Sequence, residues 1–185
     1  MRGTLFIAGG GRRTCCVQVM VNTQLLLVDG AILCGVIGAI VTWSFFWKPR
    51  IWLHDLPEDI RALVPPPTPA EKRWLMVLGL PVTGGILAGC ILSVSRFGFE
   101  AGFFPAVLHA YLPFQIFNLF DLVMIDWGTL LVINPAKPPI PGTENAAGWR
   151  NYGFFARGFF KGIVIGAIFA PIAAGIAWLI GMVGG

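Results

Sequence analysis

Apolar runs too long for an ordinary buried helix dominate this chain. Stretches over about 25–47, 74–94, 103–133 and 154–183 carry few charges. An apolar run beyond ~18 residues reads as a membrane-spanning helix. Composition points the same way: 56% of residues are hydrophobic and 12% charged, where a soluble domain carries roughly twice that charged share. Mean hydropathy is +0.77. The expected fold is all-α: a polytopic membrane protein, a bundle of four transmembrane helices plus a short interfacial helix. A flexible N-terminal tail is expected over 1–23 and the transmembrane domain over 24–185.

The punctuation between the runs sets the boundaries. In the tail, "LFIA" is too short for a signal-peptide core, and translation could start at Met1 or Met20. The first span, about 25–47, ends in "WSFFWKPRIW", where aromatic rings beside snorkelling cations mark a membrane interface. Within the following loop, "DLPEDIRALV" reads as a short helix capped by Asp55. Its residues Leu56, Ile60, Leu63 and Val64 share one face, which suits an interfacial helix. Thr68, Pro69 and Glu71 then make a capping box with proline at the first helical position. The second span is expected over about 74–94, with a possible kink at Pro81.

The third apolar stretch, Phe103–Ile133, is 31 residues long. As one helix it would reach ~46 Å, against a hydrocarbon core of ~30 Å. Pro113 cannot donate to the carbonyl of His109. A break is therefore expected there, with the span proper over about 112–133. A Pro/Gly-rich loop covers 134–153, and the fourth span about 154–183.

Net charge is +4. The basic residues lie outside the apolar aromatic runs, so no nucleic-acid partner is expected. Loops 48–73 and 134–153, with adjoining helix ends, hold Lys48, Arg50, Arg61, Lys72, Arg73, Lys137, Arg150, Arg157 and Lys161. The opposite side holds only Arg2, Arg12, Arg13 and Arg96. The positive-inside rule then places both loops in the cytoplasm and both termini outside. Cys15, Cys16, Cys34 and Cys90 include no CxxC pair, so neither a disulfide framework nor a zinc site is expected. No cofactor or metal is expected either. His109 alone cannot supply facing axial ligands for haem, and it reads as a boundary residue near the outer surface.

One span is unusually polar. "FNLFDLVMIDW" keeps Asn118, Asp121 and Asp126 in an apolar run, with Gln115 just before it. At 100° per residue, Gln115, Asn118 and Asp126 fall within ~80°, and Asp121 lies ~60° beyond Asn118. That face should look into the bundle. Arg157 and Lys161 share a face of the fourth span, at a depth that suggests pairing with Asp126. These six form a candidate intramembrane polar site, read either as structural pairing or as an ion or proton pathway. The fourth span also repeats a small residue every four positions, Gly158, Gly162, Gly166, Ala170 and Ala174. Such a ladder lets another helix approach closely.

"WLHDLPEDIRALVPPPTPAEKR", "FNLFDLVMIDW" and "PGTENAAGWRNYGFFARGFFKG" together resemble an uncharacterised family of small prokaryotic four-helix membrane proteins. The resemblance implies a prokaryotic cytoplasmic membrane and assigns no activity. Three functions stay open from the sequence. The first is a non-enzymatic accessory or assembly component that packs with other membrane helices, as a homo-oligomer or with a membrane protein partner in the lipid bilayer. The second is a small proton-coupled carrier using the intramembrane carboxylates. The third is a membrane enzyme acting on lipids.

Overall fold

A computed structural model describes residues 21–128 and 137–184. The tail up to Met20, with Cys15 and Cys16, lies outside that range, as does Ile133 at the expected end of the third span. Four long helices make the bundle. They are α1 (Thr23–Trp47), α3 (Pro69–Phe97), α4 (Phe103–Phe120) and α5 (Tyr152–Gly184). A π-helical turn, Asp121–Trp127, continues α4 directly. A 3₁₀ segment (Pro49–Asp55) and the short helix α2 (Glu58–Ala62) connect α1 to α3, and a 3₁₀ turn (Ala147–Arg150) leads into α5. Taking α4 with its π turn, all four long helices are long and apolar enough to cross a membrane. The molecule is an all-α, multi-pass bundle.

Side-chain contacts fix an up-and-down arrangement. At one end, the Asn22 amide meets His109 and Arg96 reaches Asp29. At the other, Trp47 packs edge-on against Trp74, and Trp127 against Tyr152. These are the terminal end and the loop end. Helix α4 touches α1, α3 and α5, as α3 touches α1, α4 and α5.

Local chemistry explains the helix starts. Asn22 Oδ1 accepts the Leu25 N–H at 3.1 Å and caps α1. Thr68 and Glu71 form a reciprocal capping box at the start of α3, with Glu71 Oε2 taking the Thr68 N–H at 2.7 Å. Glu71 also holds Arg50 at 2.6 Å, tying the 3₁₀ segment to α3. Lys48 Nζ sits 4.5 Å from the Trp47 ring centre and 4.6 Å from that of Trp74, a cation held on aromatic faces at the bundle's rim.

Three sequence expectations need correction. Helix α4 runs unbroken through Pro113, and the membrane helix starts at Phe103 rather than near Leu112. A single missing hydrogen bond is tolerable where neighbouring helices hold the segment in place. The irregularity falls instead at Asp121. Pro81 lies within α3, where the sequence allows a kink. Helix α2 begins after Pro57, without a side-chain cap from Asp55, because Asp55 is already committed to the 3₁₀ segment. Within its expected apolar face Leu56 and Ile60 are buried, but Leu63 is exposed.

The two long loops fold together into a cap on the loop end. Leu53, Leu56, Ile60, Ile140, Trp149 and Phe155 share one apolar cluster, and Leu122 of the π turn is part of it. Asp59 Oδ2 accepts the Gly148 N–H at 2.6 Å, joining the first loop to the second. The buried Trp149 donates Nε1–H to Thr143 Oγ at 3.1 Å, and Thr143 donates to the Ile140 carbonyl at 2.6 Å. Trp52 Nε1 donates to the buried Ser44 Oγ at 2.9 Å, fastening the cap to α1. The cap therefore grips the π turn from the loop side.

Candidate functional site

Helix α4 and its π turn carry a file of polar groups along the bundle. Gln115 and Asn118 are seated in notches left by glycines of α5. A Cβ on Gly166 would collide with the Gln115 amide and the Phe114 ring, and one on Gly162 would collide with Asn118. Asn118 Nδ2 donates to Gln115 Oε1 at 3.2 Å and to the Phe159 carbonyl at 3.1 Å. Gln115 Nε2 is buried with no partner. Further along α5, Ala170 and Ala174 bury against Ala106, Ala110 and Cys90, while Gly158 faces open space. The small-residue side of α5 is thus largely occupied by α3 and α4 of the same chain.

The π turn places the carboxylates. Leu122 and Ile125 are buried and anchor it, whereas Asp121 and Asp126 are half-buried. Asp55 of the cap lies within electrostatic reach of both. His54 Nε2 is 3.1 Å from Asp55 Oδ2, and both side chains are exposed. Trp127 Nε1 is buried without a partner beside this group.

The pairing expected for Asp126 is not formed. Among the described residues the ion pairs are Arg50–Glu71, His54–Asp55 and Arg96–Asp29. Arg157 and Lys161 are exposed, and neither reaches Asp121 or Asp126. The projection at 100° per residue assumes an α-helix. A π turn closes its hydrogen bonds over i→i+5 and rotates less per residue, so Asp126 points elsewhere than that projection indicates. Neither Asp121 nor Asp126 makes a salt bridge with α5.

A second polar cluster sits at the terminal end. Asp29 of α1 is 6% exposed and paired with Arg96 of α3, whose side chain is 50% exposed. His109 of α4 is fully buried among its neighbours, at the terminal end beside Asn22, the N-cap of α1. Its ring stacks on Phe97 with centroids 3.8 Å apart and planes 11° from parallel. Nε2 accepts the Asn22 backbone N–H at 3.1 Å, so in this arrangement Nδ1 carries the ring proton. Asp29 Oδ2, Ser93 Oγ and His109 Nδ1 are all buried without partners. A buried polar group left unpaired costs about 1–3 kcal/mol.

Sequence reasoning missed Asp29 and Ser93. Each is a single polar residue in a separate apolar run. One signal was available. Asp29 is a carboxylate well inside the first span, and such a residue calls for a partner from another helix. Between the two clusters, Pro113 has no N–H for the His109 carbonyl, so that oxygen adds an acceptor on the way to Gln115. No protein-family model, curated protein or solved structure matches this chain.

Proposed function

We propose that the protein moves protons across the membrane along α4, as a small proton-coupled carrier or a subunit of one. The observation that supports this best is the file itself. Gln115, Asn118, Asp121 and Asp126 follow one another on α4 and its π turn. At the loop end the file meets Asp55 and the exposed His54. Ionisable groups inside a membrane are expensive, and where they persist they commonly line ion or proton routes. π turns inside α-helices are likewise frequent at functional sites. Structural pairing, the rival reading of these carboxylates, lacks its ion pair. Its other support, a small-residue surface for a partner, is taken up within the chain.

In this reading His54 and Asp55 exchange protons with solvent at the loop end. Asp126 and Asp121 pass them along the π turn, and the amides of Asn118 and Gln115 order the chain of hydrogen bonds beyond. The membrane is a prokaryotic cytoplasmic membrane, with loops 48–73 and 134–153 on the cytoplasmic side and the termini outside. The bias of basic residues toward those loops supports that orientation.

Reconstitution tests the reading. Under an imposed potassium diffusion potential, vesicles holding the protein should acidify or alkalinise faster than protein-free vesicles. Asp121→Asn with Asp126→Asn should return the rate to that of protein-free vesicles. A wild-type rate no faster than empty vesicles would remove proton movement. Topology is checked separately: cysteines placed near Pro66 and Gly142 should react in whole cells only with membrane-permeant reagents.

One observation favours a second reading, an accessory subunit. Helix α3 has only 6% of its membrane window buried, against 28–33% for the other spans, so it has a broad apolar face free for another membrane helix. Cross-linking through Leu80→Cys in native membranes would show whether a protein covers it.

A further inference from the structure

Helices α3, α4 and α5 leave a cavity of about 110 Å³ between them. Its lining changes character with depth. Cys90 of α3, Ala110 of α4 and Ala173 of α5 are buried and form the floor. Thr83 of α3 and Ile165 and Phe169 of α5 line it as well, but are exposed. The cavity therefore opens sideways, between α3 and α5, onto the outside of the bundle. Small side chains at the floor leave the room, because a cysteine and two alanines reach only a short way from their helices.

Depth and chemistry decide what can enter. Thr83 is halfway along α3, ~20 Å from either end at ~1.5 Å per residue. Both flanking helices are long and apolar enough to cross a membrane, so the mouth opens on the hydrocarbon of the bilayer, beyond the reach of any headgroup. The exposed Leu80, Ile168 and Ile172 continue the same lipid-facing surface on either side. Among the described residues no charged side chain lines the cavity. Its side-chain polar atoms are the Thr83 hydroxyl, at the mouth, and the Cys90 thiol, a weak donor. A buried water needs two to four polar partners, and an apolar cavity of roughly this size stays dry and takes up apolar guests instead. A second membrane helix, about 10 Å across, could cover the mouth but is too wide to reach the floor.

We propose that this cavity is a binding site for the acyl chain of a bilayer lipid, which enters between α3 and α5 and brings its methylenes against Cys90, Ala110 and Ala173. The headgroup stays at the membrane surface and takes no part. Lipid tails are as apolar as the side chains they meet, so no hydrophobic driving force favours entry. The gain is contact. Atoms that line a void lack partners on one side and forfeit their dispersion attraction, and a flexible chain supplies those partners. The site rests on the cavity and on its place in the membrane, and holds whether or not the bundle moves protons.

Four buried alanines on two helices give the test its control. Ala110 and Ala173 line the cavity, whereas Ala106 and Ala174 are equally buried and do not. The full-length protein, deuterated except at its alanine methyls, is reconstituted in phosphatidylcholine vesicles with protonated acyl chains. Solid-state NMR then reads magnetisation transfer from the chain methylenes to each methyl. Transfer to Ala110 and Ala173 should build up as fast as to the exposed Ala167, and ahead of Ala106 and Ala174. Build-up at Ala110 and Ala173 no faster than at Ala106 and Ala174 would overturn the site. Transfer reaching them from water, or from a second copy of the chain carrying the protons, in place of the lipid would overturn it too. A variant sharpens the result. Ala173→Leu should fold, because its side chain enters space already present, and transfer to Ala110 should drop to the level of Ala106. A folded Ala173→Leu in which Ala110 keeps the wild-type transfer would show that the chain does not occupy this cavity. If the variant fails to fold, the space is not free as the site requires, and the wild-type transfer to Ala110 should then be absent as well.

Discussion

The two ends of the bundle solve the problem of polar groups in an apolar solvent in opposite ways. At the terminal end, a buried carboxylate is neutralised by a cation from another helix, Asp29 by Arg96. At the loop end, Asp121 and Asp126 have no cation of α5 within salt-bridge reach. The contrast separates two uses of charge. A pair such as Asp29–Arg96 fixes which helices meet and in what register. Asp121 and Asp126, with no cation of α5 in reach, fix no register, and the cost of burying them must be offset by the surrounding fold. The cap that buries Leu122 beside Trp149 and Ile60 supplies that support.

The largest effect should come from breaking the terminal-end pair. Arg96→Met strands a buried carboxylate, which costs about 3–5 kcal/mol, and thermal unfolding in detergent should show a correspondingly depleted folded fraction. Asp29→Asn should cost less, because the half-exposed Arg96 can turn to water. Equal losses from the two substitutions would mean that Asp29 is not the buried partner.

The next effect concerns the groove that seats the polar file. Gly166→Leu must displace Gln115 and the Phe114 ring, an overpacking cost of about 1–3 kcal/mol. Gly158→Leu, in open space, should change stability by no more than about 0.5 kcal/mol. Similar behaviour at the two positions would show that α4 does not lie in the α5 groove.

The loop-end cap gives a smaller test. Thr143→Val removes the acceptor of the buried Trp149 N–H and should cost about 1–2 kcal/mol. The site's hold on the π turn should weaken with it, seen as faster amide exchange over Asp121–Trp127. Unchanged exchange there would detach the cap from the turn. The smallest effect should be Asp126→Asn, within about 0.5 kcal/mol, because no cation is left stranded. A loss as large as that of Arg96→Met would erase the difference between the two ends.

Much of this architecture is legible in the chain. Four apolar runs, the Thr68–Glu71 box and the aromatic rim at Trp47 are local signals, and local physics carries them into the fold. The π turn is not legible. No glycine, proline or cap marks Asp121, and Leu122 of the widened turn packs into a cap built from distant loops. That turn is also why the expected pairing of Asp126 with Lys161 failed while the seating of Asn118 against α5 did not: Asn118 precedes the turn and Asp126 follows it. The terminal-end cluster is hidden for another reason. Asp29 and Arg96 lie on different helices, and their pairing is a property of register, which apolar helices without a marked polar face do not specify in sequence.

A proton route through the bundle requires water to reach the polar groups of α4 and its π turn. Water-edited solid-state NMR of the protein in lipid bilayers reads this directly, through magnetisation transfer from water to individual side chains. Rapid transfer is predicted at the Asp121 and Asp126 carboxyls and at the Asn118 amide, comparable with that at the exposed His54. Transfer confined to His54 and Asp55, with Asp121 and Asn118 as dry as Ala174, would contradict a proton route through the bundle.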